Sequence, residues 1–426
     1  MRIAFYTLGC KVNQYETEAM RRIMEHNGYK TVAWDEDADV LIINSCTVTG
    51  ESDRKLRQLL RRCRREHPDA VIVLTGCMPQ AFPEEANALS DADIILGNAA
   101  RRALPSYVEC FFANHQRTVD VFSHDKTFEE TPIYSFDEHT RAFVKIEDGC
   151  NRFCSYCIIP YARGRVRSRS LESLREEVTI LSENGYKEIV LVGINLTAFG
   201  QDTGYTIADA VDTVCAVEGI ARVRLGSIEP DHITDEIVER LAKQPKLCPQ
   251  FHLALQSGCN ATLKRMRRHY TAEEYAAICA SLRKCFPGCA ITTDFMVGFP
   301  GETDEEFEDS LSFVEKMQLA RVHIFAYSPR PGTPAAKAPN QVLNRIKSAR
   351  SKKAAIVCGD LQQQFAASKI GNETDVLLET PMQDGTVFGY TPEYIGIRVK
   401  TQHTAGEIIR VRITAATQGE CFGEEI

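Results

Sequence analysis

Apolar residues gather in short unbroken runs, separated by longer stretches of mixed composition. Residues 3–8, 40–44 and 71–75 are apolar runs of strand length, and a fourth follows at 93–96. Runs without polar alternation read as parallel strands buried on both faces. Between them, 14–27 and 51–66 have helical length. This alternation predicts a layered parallel α/β sheet with right-handed crossovers over residues 1–122. The polar stretch 123–141, rich in Asp, Glu and Thr, marks a linker at 123–139. Strand–helix units then resume over 140–367. Candidate strands are 142–146, 188–192, 222–226, 251–255, 290–297 and 322–326, with helices at 171–184, 235–243 and 272–285. Six such units predict an incomplete (β/α)6 barrel, open on one side to admit a large substrate. After a helix-like stretch at 345–369 the pattern changes to short alternating runs at 374–378, 386–390, 395–399 and 408–413. Turn residues Asp384-Gly385 and Ala405-Gly406 separate them. A small β-barrel of the oligonucleotide-binding style is expected over 370–426.

The first chemical signal follows the strand at 142–146. It is Cys150-Asn151-Arg152-Phe153-Cys154-Ser155-Tyr156-Cys157, a C-x3-C-x2-C spacing. Three thiolates this close can hold three irons of a 4Fe–4S cluster, and no fourth cysteine stands near to hold the last. The open iron is then free to bind a substrate or cofactor. A position just past a strand's carboxyl end is where βα loops carry chemistry. A zinc site is the alternative, but a structural zinc wants a fourth Cys or His nearby; three unrelated buried cysteines are another. A second pattern lies in the first 122 residues. Cys10, Cys46 and Cys77 each follow one of the first three strands, so they converge on the ligand crevice at the sheet's carboxyl edge. They form a second metal-cluster candidate, against the reading that they are three small loop residues. Cys63 and Cys110 lack this placement and read as packing residues.

Totals narrow the class. The chain has 426 residues, 44% hydrophobic and 25% charged, enough for two or three domains with full cores. Its 16 cysteines are spread along a long chain, unlike a small secreted disulfide scaffold. The opening residues run straight into a strand without a signal-peptide layout, and no apolar run reaches membrane-spanning length. The expectation is a cytoplasmic protein with reduced thiols and no membrane partner. Net charge is −8, so a nucleic-acid partner would need local basic patches. Arg163, Arg165, Arg167 and Arg169 alternate with other residues; an extended segment would project all four from one face. Arginine forks suit phosphate or carboxylate, with internal salt bridges as the alternative. Arg398, Lys400, Arg410 and Arg412 make a second candidate patch on the C-terminal barrel.

The C-x3-C-x2-C stretch resembles the radical S-adenosylmethionine (SAM) superfamily, with Tyr156 at its aromatic position. The resemblance implies that Cys150, Cys154 and Cys157 are cluster ligands, that SAM chelates the open iron, and that Tyr156 lies near its adenine. Reductive cleavage of SAM would yield a 5′-deoxyadenosyl radical. Gly193, Asn195 and Gln256, at candidate strand ends, are candidate SAM contacts. The usual Gly-Gly-Glu after the second strand is absent; Val192-Gly193-Ile194-Asn195 stands there. Residues 7–18, 44–49 and 75–77 resemble the N-terminal domain of the methylthiotransferases. That implies a second, auxiliary 4Fe–4S cluster on Cys10, Cys46 and Cys77. Residues 255–258 and 294–303 resemble the same family, and the C-terminal piece resembles the RNA-binding TRAM domain. The implied reaction replaces an aromatic C–H by C–S–CH3, with tRNA as substrate. An electron donor of the flavodoxin or ferredoxin type and a sulfur donor are the further partners. Gly9-Cys10-Lys11-Val12-Asn13 resembles the subfamily acting on C2 of N6-threonylcarbamoyladenosine beside the anticodon. Alternatives are isopentenyladenosine in tRNA or a ribosomal-protein aspartate as substrate. Outside this class stand an iron–sulfur electron-transfer protein and an RNA-binding protein without SAM chemistry.

Overall fold

The computed structural model describes residues 1–124, 126–133 and 140–426. The first body is a six-stranded, all-parallel sheet. Its strands are β1 (Arg2–Thr7), β2 (Lys30–Thr31), β3 (Val40–Ser45), β4 (Val71–Gly76), β5 (Ile94–Leu96) and β6 (Thr118–Asp120). They lie in the order β2-β1-β3-β4-β5-β6. The helices are α1 (Lys11–His26), α2 (Gly50–Glu66), α3 (Cys77–Ala81), α4 (Pro83–Asn87) and α5 (Leu104–Asn114). One apolar cluster fills each face: Leu41, Ile43, Leu56 and Leu60 on one, Ile3, Ile42, Met24 and Leu104 on the other. Burial on both faces is why these strands read as unbroken apolar runs.

The second body contains β7 (Arg141–Lys145), β8 (Glu147–Asp148), α6 (Ile159–Arg163), β9 (Arg167–Ser168), α7 (Leu171–Glu183), β10 (Glu188–Val192), α8 (Ile207–Cys215), β11 (Arg222–Leu225), β12 (Ser227–Ile228) and α9 (Asp235–Leu241). It continues through β13 (Gln250–Leu253), α10 (Asn260–Met266), α11 (Ala272–Cys285), β14 (Ala290–Val297), α12 (Asp304–Met317) and β15 (Arg321–Ala326). Two parallel ladders, β7-β10-β11 and β12-β13-β14-β15, meet where Gly226 interrupts one continuous strand. The result is the expected six-position open barrel. Its core takes in Val12, Tyr15 and Ala19 of α1, so the first body packs directly on the barrel edge beside β7.

The expected linker is anchored at residues 131 and 133. Ile133 is fully buried and its N–H reaches Glu177 at 3.1 Å. The Thr131 carbonyl accepts the Tyr15 hydroxyl at 2.9 Å. Residues 125 and 134–139 of that segment lie outside the described residues. The long helix α13 (Asn344–Ala367) leads into β16 (Glu373–Pro381), β17 (Val387–Tyr390), β18 (Gly396–Val399), β19 (Ile408–Thr417) and β20 (Glu420–Glu425). These close as β16-β17-β18-β20-β19 around Val376, Ile397, Val411 and Cys421. Strand β20, with three glutamates in six residues, has no counterpart among the alternating runs of the sequence. Among the described residues, no helix is long and apolar enough to cross a membrane.

Candidate active site

Cys10 caps the N-terminus of α1, Cys46 follows β3 and Cys77 opens α3 after β4. The three loops are tied by a buried amide and hydroxyl chain. Asn13 Nδ2 donates to Asn44 Oδ1 at 3.2 Å, and Ser45 Oγ to the Thr75 carbonyl at 2.7 Å. Gly76 sits at φ +103°, where a Cβ would lie 2.4 Å from the Ser45 carbonyl oxygen. Only glycine lets the Cys46 and Cys77 loops approach this closely. Cys63 is a core residue; Cys110 is exposed, so packing does not account for it.

The C-x3-C-x2-C loop leaves β8 and is fixed against two partners. The Cys150 N–H donates to the Gly164 carbonyl at 3.0 Å, and the Ser155 N–H to the Met266 carbonyl at 2.9 Å. Gly149, at φ +91°, has the Arg165 carbonyl where a Cβ would sit. All six sulfurs receive N–H donors. Backbone N–H groups of Val12 and Asn13 point at Cys10, of Val48 at Cys46, of Arg152 at Cys150 and of Ile159 at Cys157. Arg163 Nε reaches Cys77 Sγ at 3.2 Å, and Arg268 Nη1 reaches Cys154 Sγ at 3.3 Å. Donors aimed at sulfur suit thiolates that ligate a cluster and tune its potential.

Burial raises the thiols of Cys10, Cys46, Cys150, Cys154 and Cys157 above their ordinary value. Burial pushes the Cys150 thiol up to about 12, and burial with Cys77 nearby raises Cys46 to about 12. A bound cation would supply the charge that removes those protons. Within each triad the thiols feel one another's charge. Yet among the described residues no three Cys, His, Asp or Glu converge tightly enough to share one ion.

The candidate SAM contacts surround the second triad unevenly. Tyr156 packs edge-on against Phe299, ring centroids 6.2 Å apart. Asn195 Nδ2 lies 3.9 Å from Cys150 Sγ, and its backbone N–H donates to Glu147 Oε2 at 2.7 Å. A Cβ on Gly193 would come within 2.8 Å of that same Oε2. So a carboxylate does stand at this turn, but it comes from β8 rather than from a Gly-Gly-Glu. Burial raises the Glu147 carboxyl well above the usual range. Gln256, at φ +65°, is held by its backbone, donating to the Asp294 carbonyl and accepting from Met296, both at 2.9 Å.

The expectation for the arginine segment is corrected. It is not extended: α6 ends at Arg163, Gly164 turns at φ +72°, and β9 begins at Arg167. Arg163, fully buried, bonds Glu16, with Nη2 to Oε2 at 2.9 Å. Arg167 faces Asp148 at 3.4 Å, and Arg169 pairs with Glu177. Only Arg165 is exposed, over the Phe153 ring at 4.9 Å. Four guanidiniums on one face would repel; burying three against carboxylates removes that cost. On the C-terminal barrel, Arg398 pairs with Glu420 at 3.1 Å, Arg410 with Asp375 at 3.1 Å and Arg412 with Glu373 at 2.7 Å. Lys400 is exposed.

Several residues that brace the candidate site carried no sequence signal. Glu16, Lys145, Asp148 and Arg101 form a buried network under Cys77. Lys145 Nζ bonds Glu16 at 2.8 Å and Asp148 at 2.6 Å. Arg330 Nη2 reaches Thr47 Oγ1 at 2.7 Å and Asp53 at 2.5 Å, bracing the Cys46 loop from the far end of the barrel. Such pairs are long-range and leave no local pattern.

A cavity of about 1260 Å3 is lined by all three parts of the chain. Gly9, Cys10 and Lys11 of the first body line it, as do Gly193 and Ser227 of the barrel and Tyr390 and Tyr394 of the C-terminal piece.

Residues 144–314 match the radical SAM superfamily and residues 2–97 match the uncharacterized protein family UPF0004. Over 97% of its length the chain is 39% identical to the threonylcarbamoyladenosine tRNA methylthiotransferase MtaB of Bacillus subtilis, covering 94% of that protein. The chain belongs to the radical SAM tRNA methylthiotransferases. A second relative, the tRNA-2-methylthio-N(6)-dimethylallyladenosine synthase of Pelotomaculum thermopropionicum, is 35% identical, covering 90% of this chain and 87% of that one. Among solved structures, the radical SAM methyltransferase TsrM of Kitasatospora setae shares the fold. It gives a TM-score of 0.58 at 14% identity, covering 79% of this chain and 75% of that chain. As a methylthiotransferase the chain is an enzyme using SAM and iron–sulfur chemistry.

Proposed function

We propose that this methylthiotransferase converts N6-threonylcarbamoyladenosine beside the tRNA anticodon to its 2-methylthio derivative. In this reading Cys150, Cys154 and Cys157 hold the SAM-binding cluster, and Cys10, Cys46 and Cys77 the auxiliary one. Tyr156, Gly193, Asn195 and Gln256 line the SAM side. The supporting observation is a cavity lined both by Cys10 of the proposed auxiliary site and by Gly193, a proposed SAM contact. Identity of 39% to a threonylcarbamoyladenosine enzyme and the Gly9-Cys10-Lys11-Val12-Asn13 stretch favour this nucleoside. The bound groups supply one-electron chemistry and a methyl group. The chain's own residues position and shield. Glu147 fixes the 193–195 turn, Arg268 and the backbone N–H groups orient the sulfurs, and the apolar wall of Met266, Met296 and Phe299 excludes water beside Tyr156. We place the enzyme in the cytoplasm with tRNA, an electron donor of the flavodoxin or ferredoxin type and a sulfur donor.

The test offers reconstituted enzyme three tRNAs: one carrying the threonylcarbamoyl group, the same tRNA without it, and an isopentenylated tRNA. Methylthio product is expected on the first. Product on the isopentenylated tRNA alone overturns the nucleoside assignment and leaves the family intact.

RNA contact should follow exposure. Neutralising Arg165 and Lys400 should flatten the salt dependence of tRNA binding by about 0.7–0.9 in slope per lost phosphate contact. Arg410 and Arg412, already paired, should contribute less. A slope unchanged in the Arg165 and Lys400 variants removes both from the RNA surface.

A further inference from the structure

With Arg163, Arg167 and Arg169 committed to internal carboxylates, a different cation must meet any anion that enters the cavity. The cavity wall holds three carboxylates, and each has a partner. Asp294 faces His252 at 3.3 Å, Glu393 faces Lys369 at 3.6 Å, and Glu420 faces Arg398 at 3.1 Å. Two cations of the wall, Lys11 and Arg321, form no ion pair among the described residues. Arg321 is exposed at a strand's entrance; Lys11 is half-buried and adjoins Cys10. The Lys11 ammonium hangs over the Tyr394 ring at 5.9 Å. Two other cations share that ring, and both are neutralised: Arg141 by Glu379 at 2.6 Å and Arg224 by Glu188 at 2.8 Å. A partly buried ammonium with no ion-pair partner is a costly arrangement unless a ligand completes it.

We infer that Lys11 receives the carboxylate of the substrate's threonylcarbamoyl group and so sets the choice of nucleoside. This rests on the reading that the nucleoside is N6-threonylcarbamoyladenosine. Chemistry supports the placement. C2 and C6, which carries N6, flank N1 on one edge of the purine. A base whose C2 meets sulfur at the Cys10 site therefore carries its N6 substituent close to the neighbouring residue. An isopentenyl group brings no anion and would leave the ammonium buried and unpaired, the condition under which polar sites discriminate most strongly. Lys11 is a positioning residue, since it touches the substituent and not the reacting carbon.

The experiment measures binding, without SAM, of anticodon stem-loops to reconstituted protein. Three loops are compared: the threonylcarbamoyl acid, its methyl ester and unmodified adenosine. Wild type should bind the acid about 10- to 100-fold more tightly than the ester, the range of a charge-assisted hydrogen bond. Lys11→Met should bind acid and ester alike, with iron content unchanged, and Lys11→Arg should restore preference for the acid. The effects of ester and mutation should not add, as expected for two halves of one contact. A Lys11→Met protein that keeps the full preference, or an Arg321→Met protein that loses it instead, overturns the inference. A wild type that prefers neither acid over ester nor modified over unmodified loop fails at the earlier step, the nucleoside assignment.

Discussion

Replacing Cys150, Cys154 and Cys157 together by Ala is expected to abolish SAM cleavage. It should also remove about four of about eight irons from anaerobically reconstituted protein, one cluster's share. Replacing Cys10, Cys46 and Cys77 should remove a similar share and all methylthio product, yet leave SAM cleavage running uncoupled. The two outcomes differ because the triads belong to separate bodies. One stands on a loop after β8, held by Gly164 and Met266 carbonyls; the other stands on a sheet edge, held by Asn13, Asn44 and Ser45. Losing one set of thiols leaves the other's backbone donors in place. Iron analysis with cluster absorption, beside 5′-deoxyadenosine quantification, reads both effects. If the Cys10/Cys46/Cys77 variant retained its full iron, the auxiliary site would have to be given up.

The N-terminal sheet was legible because β3 and β4 are buried along their whole length and apolar over most of it, and the shared edge of Cys10, Cys46 and Cys77 because each follows one of its strands. What escaped depended on contacts that sequence does not display. α1 begins at Lys11 rather than at residue 14, because Cys10 acts as its cap and the Asn13 side chain accepts the Cys10 N–H at 3.3 Å; a cysteine cap is not among the familiar signals. Strand β20 reads Glu-Cys-Phe-Gly-Glu-Glu, too acidic to announce itself, and exists because β18 and β19 both pair with it. The arginines after Cys157 alternate as an extended segment would, but one glycine turn redirects them. Arg163 meets Glu16 across 147 positions, a separation at which no periodicity survives.

That same pairing gives the second large expected effect. Glu16, on α1 and 2% exposed, receives three cations from beyond its own helix: Arg101 at 3.1 Å, Lys145 at 2.8 Å and Arg163. Burial alone would raise its carboxyl; Arg101, then Arg163 and Lys145, outweigh that and hold it at about 2. Glu16→Ala leaves those cations facing only Asp148 and Glu129. Breaking a buried pair from one side costs on the order of 3–5 kcal/mol, so thermal unfolding of the metal-free variant should begin well below that of wild type. The pH dependence has a definite sign. A depressed carboxyl contributes stability above its unfolded value of 4.5, and that contribution is lost as pH falls toward 2. Wild type should therefore lose melting temperature through that window more steeply than Glu16→Gln, which has no proton to take up. Arg163 also holds Cys77 through its Nε, so the Glu16 variants should bind auxiliary iron more weakly while the Cys150 triad keeps its own. Melting profiles that coincide with wild type from pH 7 to pH 3 would mean that the network carries no net stability and that α1 is held to the barrel by Val12, Tyr15 and Ala19 alone.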